Sequence, residues 1–344
     1  MPMSISRPVR VALDAMGGDY APAHEVEGAV LAIRDAGPLL DLTLVGDEPK
    51  LRQEMGRVGA PDTLKVVQAS QVITMEDPPT AALKLKRDSS LAVGMRYHQE
   101  GRVDAFVSAG NTGAVLSAST LILGRVKGVS RPTIGTFIPA ERGVCLLVDA
   151  GTNVDCRAQQ LYEFGVMGSI YFQKVMGTPR PTVALLNVGE ERYKGTDVVL
   201  EAYKLLESGP VNFIGNVEGR DILKAKADVV VCDGFVGNIV LKFGESVPSF
   251  LRSLLRSAAD KSTVDKLSLG LARGAMRRAL RVLDPNEHGG VPVLGVNGVS
   301  IIGHGSSTAV GIKNMILRAM EVANSGLNSH IASALSTPVH VPAS

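Results

Sequence analysis

Six segments of the 344-residue chain place glycines and small polar side chains directly after a short apolar run. Val11–Leu13 leads into Asp14, Met16, Gly17, Gly18 and Asp19. Phe106–Val107 leads into Ser108, Gly110, Asn111, Thr112 and Gly113. Val148 leads into Asp149, Gly151, Thr152 and Asn153, and Asn187 into Gly189, Glu190 and Glu191. Cys232 leads into Asp233, Gly234, Gly237 and Asn238, and Ile302 into Gly303, His304, Gly305, Ser306 and Ser307. Glycine lets the backbone approach a ligand closely and take up positive φ. Where a helix follows such a loop, its unpaired N–H groups favour an anion. Hydroxyls and amides beside those donors suit phosphate. Tight turns use glycine for geometry alone, so each loop taken singly is ambiguous. The repetition, with Asp, Asn, Ser or His attached each time, points to a ligand cleft.

These loops must be held by alternating elements. Strands are expected at Val9–Leu13, Leu42–Val45, Leu64–Val67, Ala105–Ser108, Val144–Val148, Val183–Asn187, Asn212–Gly215, Val229–Cys232 and Val299–Ile302. Helices are expected at Ala21–Asp35, Thr112–Leu123, Ala158–Met176, Asp197–Ser208, Asn238–Arg256 and Ser306–Asn324. Strand–helix alternation predicts βαβ units in a doubly wound, mostly parallel sheet, an α/β/α sandwich. The continuous apolar runs Val144–Val148 and Val229–Val231 fit strands covered on both faces. In such a sheet all the loops are expected on one side, around a central cleft. Residues 1–344 read as one large α/β unit. Its one interruption, from Val247 to Leu283, reads as a protruding helical pair with Ser262 or Thr263 capping the second helix. The tail 336–344 reads as disordered.

Composition removes several classes of function. A net charge of +2, no Trp and 4% aromatics do not suit nucleic-acid binding. Three cysteines without a CxxC pair argue against disulfides and zinc and fit a reducing compartment. The polar N-terminus has no apolar core of a signal peptide, and no apolar run reaches about 20 residues, so no spanning helix is expected. GxGxxG, GxxxxGK[ST] and GxSxG are absent. HExxH fails because Gly28 stands where the second His is needed, and the H-x4-D pair of many glycerolipid acyltransferases fails because Asp104 lies one place too far from His98.

Longer strings then carry a resemblance. VALDAMGGDYAP (Val11–Pro22), FVSAGNTGA (Phe106–Ala114), VDAGTNVD (Val148–Asp155), LLNVGEE (Leu185–Glu191), FIGNVEGRDI (Phe213–Ile222), CDGFVGNIVLK (Cys232–Lys242) and GHGSS (Gly303–Ser307) closely resemble the PlsX-type phosphate acyltransferases, in family order from Val9 to Ala323. The resemblance implies formation of acyl phosphate from acyl-(acyl-carrier protein) and inorganic phosphate, for phosphatidic acid synthesis. It implies a fold similar to phosphotransacetylases and isopropylmalate dehydrogenases, a homodimer, peripheral membrane association, and no metal or organic cofactor. Spacing alone does not decide the metal, since Asp residues stand at several strand ends.

The family's proposed catalytic lysine and asparagine correspond to Lys194, in GEERYKGTD, and Asn238, in DGFVGN. Lys194 could offset charge on phosphate or oxyanion, though a loop lysine is also commonly just solvated. Asn238 could donate to the oxyanion, and fits equally as a helix N-cap. His304, read as lying at a helix start, could protonate the leaving thiolate or only orient its loop. Phosphate is expected at Gly17, Gly18, Ser108, Asn111, Thr112, Asn153, Gly305, Ser306 and Ser307, with Asp14, Asp19, Asp149 and Asp233 orienting donors or pinning loops. Cys145, Cys156 and Cys232 read as inert.

In the helical pair, Val264, Leu267 and Leu271 share a stripe, with Lys266, Arg273 and Arg277 opposite. An amphipathic pair packed on the body or on a second copy accounts for this. So does contact with anionic lipid or an acidic carrier protein. The clusters Lys84, Lys86, Arg87 and Arg125, Lys127, Arg131 are further candidates for carrier docking. Together these readings imply a cytoplasmic protein held at the inner face of the cell membrane.

Overall fold

In chain order the strands are β1 (Val9–Asp14), β2 (Leu40–Gly46), β3 (Lys65–Gln68), β4 (Ala105–Ser108), β5 (Thr133–Ala140), β6 (Gly143–Val148), β7 (Thr182–Leu186), β8 (Asn212–Val217), β9 (Val229–Val231), β10 (Val291–Leu294) and β11 (Ser300–Ile302). The helices are α1 (Ala23–Ala36), α2 (Glu48–Val58), α3 (Pro79–Leu85), α4 (Ser90–Gln99), α5 (Thr112–Ala118), α6 (Ala158–Val175), α7 (Asp197–Glu207), α8 (Gly219–Ile222), α9 (Gly234–Lys261), α10 (Thr263–Leu280), α11 (Ala309–Asn324) and α12 (Leu327–Leu335). The computed structural model describes residues 7–141, 143–280, 285–287 and 289–336; the expected end of the helical pair at 281–283 and the tail 337–344 lie outside them.

One 11-stranded sheet runs in the order β3-β2-β1-β4-β11-β10-β5-β6-β9-β7-β8. Seven of its ten pairings are parallel. The exceptions join its middle: β10 is antiparallel to β11 and to β5, and β5 is antiparallel to β6. Three reversals in a row turn the chain direction over. The strands β3, β2, β1, β4 and β11 therefore point one way, and β6, β9, β7 and β8 the other. This corrects the expectation that all strand ends share one side. The carboxyl ends of the two parallel halves fall on opposite edges of the sheet.

Side-chain alternation then sorts the core. On one face Val11, Leu13, Val107, Phe137, Leu146, Val148, Val183 and Val231 belong to a single cluster spanning both halves, under α1, α6 and α11. The other face carries two separate clusters. Ala12, Phe106, Ile134 and Val293 pack with α4 and α5, while Cys145, Leu147, Ala184 and Val230 pack with Val240 of α9. In β5, Ile134 belongs to the first of these and Ile138 packs against the second.

The helical pair is a hairpin that starts earlier than expected. Its first helix begins at Gly234 and runs for 28 residues through Pro248. Ser262 starts the second helix, its Oγ accepting from Asp265 N (3.3 Å) and its carbonyl from Lys266 N (2.9 Å). Within α9 only Gly234 and Gly237 are buried. The hairpin stands off the body, its two helices packed on each other.

Candidate active site

The loops after β1, β4 and β11 are knitted into one cluster. Ser108 Oγ donates to Asp14 Oδ2 (2.8 Å) and accepts from Gly110 N (3.1 Å). Gly303 N donates to Ser108 O (3.0 Å), and Asp19 N to Gly305 O (2.8 Å). Burial raises the Asp14 carboxyl above the usual range, against hydrogen bonds from Ser90 and Ser108. Asn111 caps α5 through Oδ1, which accepts from Ala114 N (3.0 Å), while its Nδ2 donates to the carbonyls of Thr74, Met75 and Asp77. The loop 74–77 is thereby fastened beside the cluster. Ser307 N and Oγ both donate to His304 O (2.9 and 2.6 Å).

Within this cluster the expected ligand groups divide. The side chains of Ser108, Asn111 and Ser307 are committed to internal bonds. Thr112 is exposed, and Ser306, also exposed, faces His304. His304 Nδ1 lies 2.8 Å from Ser306 Oγ and 3.3 Å from Ser306 N. An N–H can only donate, so Nδ1 is the acceptor and the ring proton sits on Nε2. His304 is not at a helix start as expected. Thr308 caps α11, accepting from Gly311 N (3.3 Å), and His304 lies in the loop before it. The N–H groups of Gly17, Asn111, Thr112 and Gly305 have no acceptor among the described residues.

A second cluster forms at the carboxyl ends of β6 and β9, on the opposite sheet edge. The fully buried Asp149 accepts from the N–H groups of Gly151 (2.9 Å), Thr152 (2.8 Å) and Asn153 (2.8 Å), and from Thr152 Oγ1 and Asn153 Nδ2. Asn153 also donates to Pro132 O (3.0 Å), so its amide is committed. Gly234 N donates to Asn153 O (2.8 Å), seating the start of α9 on this loop. Asp233 is the N-cap of α9, accepting from Val236 N (2.8 Å). Asn238 is therefore not a cap. It is exposed, one turn into the helix and against Gly151, and its amide has no hydrogen-bond partner among the described residues. Lys194 is half-buried in the loop between β7 and α7, fixed by Asn187 Nδ2 donating to its carbonyl (2.9 Å). Its Nζ lies 5.7 Å from the Tyr193 ring centre. Among the described residues no hydrogen bond or ion pair links Lys194 or Asn238 to the first cluster.

The carboxylates of Asp14, Asp149 and Asp233 accept from loop donors, Asp19 is tied to the loop through its backbone N–H, and the cysteines are buried thiols. Burial pushes Cys145 and Cys156 up to about 12, and Cys232 well above its usual value. No group of three His, Cys, Asp or Glu among the described residues is placed to hold a metal. One buried group escaped the sequence reading. Glu25, in the first turn of α1, is 1% exposed and lies against Gly18. Helical spacing signals it, since Glu25 shares the buried stripe of Gly28, Ala29 and Ala32.

In the hairpin Leu267 and Leu271 are 68% and 81% exposed, alongside Val264, Lys266 and Arg273. The side chain of Arg277 lies outside the described ones. Among the described residues no helix is long and apolar enough to cross a membrane. Lys86 of the expected docking clusters is paired with Asp77, whereas Lys84 and Arg87 are exposed beside Leu85.

The chain matches the family model described as fatty acid synthesis protein over residues 9–330. It is 48% identical over 338 residues to a phosphate acyltransferase of Heliobacterium modesticaldum, covering 97% of this chain and 98% of that protein. It is 46% identical over 319 residues to a phosphate acyltransferase of Moorella thermoacetica, covering 93% and 94%. A phosphotransacetylase from Streptococcus pyogenes superposes with a TM-score of 0.64 at 16% identity, covering 92% of this chain and 94% of that one. EutD phosphotransacetylase from Staphylococcus aureus does so at 0.60, again with 16% identity, 92% and 94% coverage. At that identity the structures show a shared fold. The sequence matches, long and nearly end to end, carry the assignment: the chain belongs to the PlsX-type phosphate acyltransferase family.

Proposed function

We propose that this chain moves a fatty acyl group from acyl-(acyl-carrier protein) onto inorganic phosphate, giving acyl phosphate for phospholipid synthesis. Phosphate dianion is already nucleophilic at neutral pH, so no acyl-enzyme is needed. A phosphate oxygen adds to the thioester carbonyl, the tetrahedral oxyanion collapses, and the C–S bond breaks to release the carrier thiolate. The chain's tasks are to hold phosphate against the carbonyl and to stabilise the oxyanion. The observation that carries this reading is the cluster of unpaired N–H groups at the ends of β1, β4 and β11, in a chain of this family. Phosphate would be held there by backbone N–H of Gly17, Asn111, Thr112 and Gly305 and by the Thr112 hydroxyl, while Gly18 N–H is turned to the Glu25 carboxyl and the Ser306 hydroxyl to His304 Nδ1. Ser108, Asn111, Asn153 and Ser307 contribute by shaping loops. Asn238, with its uncommitted amide, is the proposed oxyanion donor and Lys194 the charge clamp; both stand at the second cluster, on the opposite sheet edge, so these roles require the two clusters to be brought together around the bound acyl donor. Nε2–H of His304 would donate a hydrogen bond to the leaving thiolate, which takes up the proton that the attacking hydrogen phosphate gives up. The acyl donor would enter over β10 and β5, between the two apolar clusters of the split face.

Purified protein incubated with palmitoyl-carrier protein and phosphate should form acyl phosphate, trapped as the hydroxamate, with chelator making no difference. Transfer from short acyl-coenzyme A without carrier, at an equal or higher rate, would replace this reading with a phosphotransacetylase. Normal cellular function after disruption of Ser108–Ala114 would indicate a scaffold for other lipid enzymes.

A second copy and a membrane surface complete the proposal. Phe235, Ile239, Phe243, Phe250 and Leu254 are all exposed at helical spacing along one side of α9. An apolar stripe of that length favours a homodimer through α9, checked by sedimentation velocity. The α10 residues Val264, Leu267 and Leu271, with Lys266 and Arg273, favour peripheral attachment at the inner face of the cell membrane.

A further inference from the structure

Glu25 has a carboxyl that the acyl transfer leaves unexplained. An acid in the first turn of a helix is ordinarily ionised and solvated, where it offsets the helix dipole. Glu25 is 1% exposed instead, and its Oε2 is buried with no hydrogen-bond partner among the described residues. Its other oxygen is pressed against the loop after β1: a Cβ added to Gly18 would lie 2.2 Å from Oε1 and 3.5 Å from Gly305 O. Gly18 is thus sandwiched between this carboxyl and the loop after β11.

The charged groups facing Glu25 are the carboxyls of Asp14, at the end of β1, and Asp19, in the loop. The elements packed on α1 offer little compensation. Lys313 of α11 is held by Asp35, Arg318 by Glu321, Arg57 of α2 by Glu27 and Glu54, and Asp41 of β2 holds Lys65. His24, next to it on α1, directs Nδ1 at Ser307 O (3.0 Å). A carboxylate here would be a buried, partly unpaired charge among other acids, which is costly. As the neutral acid it keeps an acceptor at Gly18 and gains an O–H donor.

We propose that Glu25 is a positioning residue of the anion site: seated under Gly18, its carboxyl must carry a proton for a dianion to be held over the Gly17–Asp19 turn. This rests on the placement of phosphate at the first loop cluster. Glu25 acts through Gly18 and through charge, and takes no part in bond making. Burial, reinforced by Asp14 and Asp19, raises the group to about 7, so the switch falls at neutral pH.

Sulfate is the probe, because it stays a dianion throughout the range where phosphate itself titrates. Its Kd is read from the rise in Tm with sulfate concentration, between pH 6 and pH 8, for the full chain. If only the protonated form binds, the wild-type Kd should weaken about tenfold across that range. Glu25→Gln keeps the shape and removes the charge, so its Kd should stay flat and match the wild-type value at pH 6. The ratio of phosphate KM between wild type and Glu25→Gln should follow the same pH curve, the ionisation of phosphate cancelling. Glu25→Asp, which restores a titrating group, should bring the pH dependence back. Equal pH profiles for wild type and Glu25→Gln would overturn the role of Glu25 while leaving the anion site standing. No sulfate binding at any pH would overturn the site and this proposal together.

Discussion

Two glycines of α9 make opposite demands, and substituting each in turn tests how the helix positions Asn238. At Gly237 an added Cβ would lie 1.8 Å from Asp149 O and 3.0 Å from Asp149 C. The obstacle is backbone, and Asp149 is anchored by its donors in the 151–153 turn, so neither partner can swing aside. Restoring an ordinary contact of at least 3.4 Å requires α9 to shift by about 1.6 Å relative to the loop. Asn238, the next residue, moves with it. Overpacking of this kind costs about 1–3 kcal/mol of stability. A displacement of about 1 Å at a reacting centre can cost about 10²-fold in rate. Gly244, two turns further along the same helix, meets nothing within 4 Å among the described residues and is exposed. Gly244→Ala should therefore stabilise the chain by about 0.5–1 kcal/mol, through the higher helix propensity of alanine. Thermal unfolding and acyl phosphate formation, measured on both variants, give the comparison. Gly237→Ala is expected to lower Tm and to lower kcat about 10²-fold, while Gly244→Ala raises Tm. Wild-type kcat in Gly237→Ala would refute the reasoning, because it would mean that the seat of α9 does not set the position of the proposed oxyanion donor.

Other outcomes follow from the same geometry. Lys194→Ala and Asn238→Ala should each lower kcat about 10²–10³-fold with little change in Tm, since both side chains stand clear of the core; near-normal rates would remove their roles. His98 donates from Nδ1 to Val103 O (3.1 Å) and accepts at Nε2 from Val299 N (2.8 Å), and burial lowers it below the usual histidine value. The unfolded chain then binds the extra proton, so stability should fall as pH drops below about 6.5, by up to about 1.4 kcal/mol per pH unit. His98→Gln should flatten that part of the Tm–pH curve, and an unchanged slope would place the acid sensitivity elsewhere. Leu267→Glu with Leu271→Glu should release the protein from anionic liposomes in sedimentation while soluble transfer continues. Wild-type binding should weaken with salt without vanishing, each basic residue adding about 1 kcal/mol. A double variant that still sediments would sink the membrane reading, and lost activity would assign the hairpin to the dimer core or the acyl pocket.

What the sequence concealed traces to particular residues. The nine expected strands are all present, because each is a run of β-branched or apolar residues long enough to read. The two that escaped are β5 and β10, and both carry proline: Pro139 near the end of the first, Pro292 within the second. A proline has no N–H for the ladder and demotes a segment read alone. Here the sheet tolerates it, since β10 pairs with β5 through Val293 and Leu294, past the proline. Those two strands supply every antiparallel pairing, so missing them also hid the reversal of the second half-sheet. Loop composition was a better guide to the sites than topology, because glycine and its polar neighbours report local geometry whichever edge they occupy. It still could not tell a ligand-facing amide from one committed internally. Asn111, Asn153 and Asn238 look alike in sequence, and only the carbonyls of Thr74, Met75, Asp77 and Pro132, all distant in the chain, separate the first two from the third. Asn238 thus remains the asparagine of the three with an amide free to meet an oxyanion, and its distinction from the others is a property of the fold.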